Sequence, residues 1–80
     1  MPCFSVCMFV TDRSLAPAAL ASAVEARDLD GLYLPEHTHL PLSSRSPFFA
    51  DGVLPEPYRR TCDPYVALAM AAAATSRIRL

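Results

Sequence analysis

Lysine and tryptophan are absent from this 80-residue chain, and glycine occurs only twice, at Gly31 and Gly52. So few glycines exclude a Gly-rich phosphate loop, a P-loop and the strand-to-helix elbow that presents a serine nucleophile, because each needs backbone that turns sharply or approaches a ligand closely. The seven basic residues are all arginines, scattered along the chain, and the formal net charge is −1. That pattern excludes a basic nucleic-acid patch and a cationic membrane stripe. Long apolar runs are also missing. Residues 3–10 and 66–74 are each too short to cross a bilayer, and the first has neither a basic flank nor a small-residue cleavage site, so a soluble, cytoplasmic chain without a targeting segment is expected. Cysteine is limited to Cys3, Cys7 and Cys62. An odd count without a paired-Cys motif favours free thiols, and Cys3 and Cys7, four apart in a strand-like stretch, are expected to pack on one face as small hydrophobes.

What remains is 52% hydrophobic and 19% charged, the composition of a folded domain. Residues 4–10 are rich in strand formers and end at the polar turn Thr11, Asp12, Arg13, Ser14, which reads as a first strand. Over 16–27 the pattern becomes helical: Pro17 suits the first turn, and Leu20, Ala23, Val24 and Arg27 share a face. This helix should stop near Asp28, at a position that wants a left-handed residue and where Asp is less comfortable than Gly. Residues 29–35 read as a second strand, and strand, helix, strand with short connections implies a parallel crossover. Residues 36–62 follow as a long loop holding Pro41, Pro47, Pro55 and Pro57, of a length usually reserved for lids or substrate-binding segments. Asp63 as N-cap and Pro64 at the first helical position start an Ala-rich helix that continues over 65–75 and expects neighbours on more than one side. Residues 76–80 alternate polar and apolar, as the start of a third strand would.

Chemistry concentrates where the second strand ends, in Leu34, Pro35, Glu36, His37, Thr38 and His39. An apolar run closing on a carboxylate and two imidazoles is what the C-terminal end of a buried parallel strand carries when it contributes to an active site. His37 can give or take a proton near neutral pH. Glu36 can orient it, His39 can contact substrate, and Thr11 and Asp12 end the first strand at the same rim, where a turn or helix-capping role competes with a site role. Arg45, Arg59 and Arg60 suit an anionic group by their guanidinium geometry, with a solvated loop position as the plainer reading.

The order of these elements, with the stretch Leu34 to His39 and the closing run Thr75, Ser76, Arg77, Ile78, Arg79, Leu80, resembles the N-terminal segment of luciferase-like monooxygenases, of the type that uses the deazaflavin coenzyme F-420. The resemblance implies an α/β chain forming the N-terminal portion of a (β/α)8 TIM barrel, in the order strand, helix, strand, long loop, helix and start of a third strand. On that reading 1–80 is a partial domain truncated at the third strand. It also implies an oxidoreductase that transfers hydride between F-420, or alternatively FMN, and a small organic substrate. His37 then lies close to the coenzyme ring as catalytic residue beside Glu36, while His39, Thr11 and Asp12 contact substrate or cofactor. The chain departs from the family pattern at Asp28, where Gly is expected, and at Gly31, where Ser or Ala is more usual. Two strands bury little, so turnover by the 80 residues alone is not expected, and oligomerisation or pairing with the rest of a barrel is. Two other readings stand beside this one. His37-x-His39 at a strand end suits a metal-dependent amidohydrolase, with Glu36, Cys62 and Asp63 as the only further zinc ligands in reach. A truncated, non-enzymatic product could instead dock onto a full-length relative through its open sheet edge.

Overall fold

A computed structural model describes residues 2–37, 39 and 54–80 of the chain. Among these residues five elements follow one another: β1 (Ser5–Cys7), α1 (Pro17–Ala26), β2 (Gly31–Tyr33), α2 (Pro57–Arg60) and α3 (Pro64–Ala73). β1 and β2 pair in parallel with Ser5 opposite Gly31, Val6 opposite Leu32 and Cys7 opposite Tyr33. Parallel neighbours need a crossover, and α1 supplies it. On the far side of β2 a single parallel bridge joins Gly31 to Arg79. There the N–H of Leu32 donates to the Arg79 carbonyl and the N–H of Arg79 to the Asp30 carbonyl, both at 2.9 Å. Three parallel segments thus lie side by side in chain order, the third through the single bridge at Arg79, and the chain is a small α/β fold.

The helices form where the local chemistry asks for them. α1 has Pro17 at its start, with Ala16 extended before it and no side-chain cap. It buries Pro17, Leu20, Ala21 and Val24. Asp28 follows at φ 58°, in the left-handed region. The Asp28 N–H donates to the Glu25 carbonyl at 3.1 Å and the Leu29 N–H to the Val24 carbonyl at 3.3 Å, the two-bond closure in which that position is ordinarily glycine. α3 opens as its sequence suggests, with the Asp63 side chain accepting from the Val66 N–H at 3.0 Å and Pro64 in the first turn. α1 packs on α3, and Ala21 of α1 and Ala71 of α3, both fully inaccessible, lie in one cluster.

The core is Val10, Leu20, Ala21, Val24, Leu32 and Ala71, with Val6, Leu29, Leu34, Cys62 and Ile78 packed against it. All of it lies on the helix side of the sheet. Strand side chains alternate between faces, so Val6 and Leu32 turn inward while Cys7 and Tyr33 are exposed. The expectation that Cys3 and Cys7 pack in a core is corrected here: both are exposed free thiols, because no element among the described residues covers the second sheet face. Among the described residues α3 is likewise covered on one side, and Tyr65, Val66 and Met70 are exposed. No helix among the described residues is long and apolar enough to cross a membrane.

Two further departures have local causes. The loop expected over 36–62 contains the one-turn helix α2, which starts on Pro57; proline there reads as a loop signal in sequence but is also the residue best suited to open a helix. Gly31 sits at the crowded junction of all three segments. A Cβ at that position would lie 3.0 Å from Ser5 Oγ and 3.2 Å from the Arg79 carbonyl oxygen, so the absence of a side chain serves a close approach there.

Candidate functional site

Because β1 and β2 run parallel, their C-terminal ends emerge on the same side. The chain beyond β1 carries Phe9, Val10, Thr11 and Asp12, and the chain beyond β2 carries Leu34, Pro35, Glu36 and His37. α2 is tied to the first of these ends. The Cys62 N–H donates to the Val10 carbonyl at 2.8 Å. Thr11 and Thr61 form an antiparallel bridge, and the rings of Phe9 and Tyr58 meet at 4.7 Å with a 56° tilt.

Charge completes the attachment. Arg60 grips Asp12 with two donors, Nε to Oδ1 at 2.7 Å and Nη2 to Oδ2. Arg13 donates from Nη1 to Glu56 Oε1, and the same oxygen lies 3.7 Å from Arg60 Nε. The Arg60 hydrogen bond holds the Asp12 carboxyl below its ordinary value, and Asp12 in turn raises the guanidinium. Between the turn after β1 and α2 lies an open groove of about 300 Å³, lined by Phe9, Thr11, Arg13, Ser14, Glu56, Pro57 and Arg60. Its walls are largely apolar, with two guanidinium groups and one carboxylate at the edge.

The comparisons with known proteins leave the family open. No protein-family model matches the chain. The chain is 42% identical over 80 residues to an uncharacterized protein of Mycobacterium tuberculosis (strain ATCC 25618 / H37Rv), across 96% of this chain and 28% of that protein. The same figures hold for an uncharacterized protein of Mycobacterium bovis (strain ATCC BAA-935 / AF2122/97). The chain therefore spans little more than a quarter of the length of these curated relatives. No solved structure matches it.

The residues singled out in the sequence fall into two groups. Thr11 and Asp12 are drawn into the α2 attachment. Thr11 Oγ1 accepts from the Arg13 N–H at 3.1 Å, and its own N–H donates to Ser14 Oγ at 2.9 Å, so Thr11 builds the turn, while Asp12 is the partner of Arg60. Arg60 is thereby an ion-paired residue rather than a solvated loop charge; Arg59 is exposed. Glu36, His37 and His39 lie beyond β2 and are exposed. Thr38 and Arg45 lie outside the described residues. Among the described residues no group of three His, Cys, Asp or Glu side chains could hold a metal ion, so Glu36, Cys62 and Asp63 do not gather round the two histidines.

Sequence reading missed Arg13, Glu56 and the Phe9–Tyr58 pair. The spacing of Glu56 and Arg60, four apart, is a visible helical signal; their partners on the turn after β1 have no local signature. Glu25 was missed too. Its carboxylate, at the end of α1, accepts from the N–H groups of Ser76 at 3.0 Å, Arg77 at 2.7 Å and Ile78 at 3.2 Å. Those bonds, the one from Arg77 first, hold Glu25 below its ordinary value. Arg77 answers by donating from Nη2 to the Glu25 carbonyl and from Nη1 to the Leu29 carbonyl. The clamp sets the turn that delivers Arg79 to β2.

Proposed function

We propose that the chain is part of a (β/α)8 barrel oxidoreductase of the luciferase-like type, one that transfers hydride between coenzyme F-420, or FMN, and a small organic substrate. The observation that carries this reading is the side-by-side order of three parallel segments joined by α1 and α3, with an acidic-His stretch directly after the second. Sequential parallel strands joined by helices are how such a barrel begins, and its chemistry sits at the C-terminal strand ends. The relatives' length also agrees: a chain of which these residues make up 28% is long enough for a complete barrel, which takes about 250 residues.

On this reading His37 exchanges the proton that accompanies hydride transfer or stabilises charge on the ring, and Glu36 orients it. His39 contacts the substrate. Thr11 and Asp12 shape the rim through the turn and α2. The coenzyme supplies the hydride chemistry, and the chain's own residues position and protonate.

Binding to the Mycobacterium tuberculosis relative tests the reading. Its purified protein, titrated with F-420 and with FMN and followed by coenzyme fluorescence, is expected to quench one of them saturably. Replacing its segment aligned with 1–80 by this chain should preserve that binding, and His37→Ala in the chimera should weaken it. A relative that binds neither coenzyme would overturn the assignment.

A further inference from the structure

The two guanidinium groups that border the groove use only part of their hydrogen-bonding capacity. A guanidinium has five N–H donors. Arg60 gives two of its hydrogen bonds to Asp12, and Arg13 gives one to Glu56. Thr11 Oγ1 and Ser14 Oγ, the hydroxyls on the same wall, already serve the turn. The groove therefore offers spare donors on both arginines, with Glu56 as the one carboxylate of its lining, beside the apolar surfaces of Phe9 and Pro57.

We propose that this groove binds a small carboxylic acid with an apolar body, aromatic or branched aliphatic. The carboxylate takes the place of Glu56 on Arg13 and reaches the unused donors of Arg60, while the body lies against Phe9 and Pro57. A volume of about 300 Å³ suits a ligand of that size. A cation would meet two guanidiniums for one lining carboxylate, which disfavours it. Displacing Glu56 is easy, because its bond to Arg13 joins two side chains that are 56% and 63% exposed, and ion pairs so open to water contribute little. Asp12 keeps its two-donor grip on Arg60, so α2 stays in place when the ligand enters. The inference stands on the groove alone and does not need the coenzyme reading.

Backbone amide NMR of the 80-residue chain, titrated with benzoate and with benzylamine as cationic control, tests it. Benzoate is expected to give saturable shifts centred on Phe9, Arg13, Ser14 and Arg60, and benzylamine none. Arg13→Gln should weaken benzoate about tenfold, since it removes a charge-assisted contact. Glu56→Gln should tighten benzoate about threefold, because it removes the internal competitor. Equal response to both probes, indifference to Arg13→Gln, or weaker binding by Glu56→Gln would each overturn the proposal. So would a poorly dispersed spectrum of the free chain, because the groove exists only while α2 is held against the end of β1.

Discussion

Asp28 occupies a glycine position. Its φ of 58° and the two bonds that close α1 across it leave no room for another backbone conformation. A left-handed residue with a Cβ costs roughly 1–2 kcal/mol, less for Asp than for most, whereas glycine adopts the conformation freely. Against this, Asp28→Gly enlarges the conformational freedom of the unfolded chain, at a cost of about 0.5–1 kcal/mol. The side chain gives little in return: it is 99% exposed and lies 3.9 Å from Arg77, an ion pair too solvated to matter. The balance favours glycine by about 0.5 kcal/mol or somewhat more, which for a domain of this size raises the thermal midpoint by about 3 °C. Thermal unfolding followed by circular dichroism measures the shift. Asp28→Asn is the control for charge, since Asn tolerates the same conformation, and it should leave the midpoint nearly unchanged; Asp28→Ala should lower it. A lower midpoint for Asp28→Gly together with an unchanged one for Asp28→Asn would refute the reasoning.

Leu32 has no accessible surface and sits at the centre of the core, so Leu32→Ala is expected to cost about 2–5 kcal/mol in urea unfolding, a large share of the stability of a small domain. For Glu25 the prediction concerns pH. Its folded-state value is lowered, so its contribution is present above the unfolded-state value and lost as pH falls through the folded-state one. Thermal midpoints should therefore drop through the acid range, and Glu25→Gln should lower the midpoint at neutral pH and flatten that acid slope. An unchanged slope would show that the clamp on residues 76–78 does not hold in solution.

The elements legible in the sequence are those whose causes are local. Pro17 and the spacing of Leu20 and Val24 give α1, Asp63 and Pro64 give the start of α3, and the strand formers of 4–10 and the apolar run within 29–35 give the paired strands. The left-handed site at Asp28 was legible for the same reason, since a helix end followed at once by a strand needs such a turn. What escaped was carried by partners far apart in sequence. Asp12 meets Arg60 across 48 positions and Glu25 meets Arg77 across 52, and neither side of such a pair marks the other. The thiols of Cys3 and Cys7 were misread on different grounds. Period-two alternation says which side chains share a face, but not whether anything covers that face. In the candidate site, the placement of Glu36 and His37 just after a parallel strand follows from the sequence, whereas the groove at the end of β1 depends on α2, which proline-rich composition disguised.

The distribution of apolar residues explains why polar contacts carry so much of the geometry. Among the described residues seven hydrophobic ones are buried and three of these are alanines, Ala21, Ala67 and Ala71, while Phe4, Met8, Leu15, Tyr33, Tyr65, Val66, Met70 and Leu80 are exposed. Apolar burial fixes α1 and α3 against the helix side of the sheet, whereas the two attachments that matter most to the rim have only half-buried apolar contacts, Cys62 and Ile78 on the core and Phe9 on Tyr58. α2 is held at the end of β1 by the two-donor Arg60–Asp12 contact and the Cys62 N–H on the Val10 carbonyl, and the third parallel segment is brought to β2 by Glu25 and Arg77. Parallel sheets are ordinarily covered on both faces; with one face uncovered by the described residues, the sheet itself does not enforce these positions. The consequence is a division of labour within one small fold. Substitutions in the core should act on global unfolding, whereas those in the two charged attachments should first displace α2 or residues 76–79 and leave α1 docked on α3. Amide exchange separates the two cases, because local release exposes the Cys62 N–H or those of Arg79 and Leu32, whereas only global unfolding exposes the N–H of buried Val24 within α1.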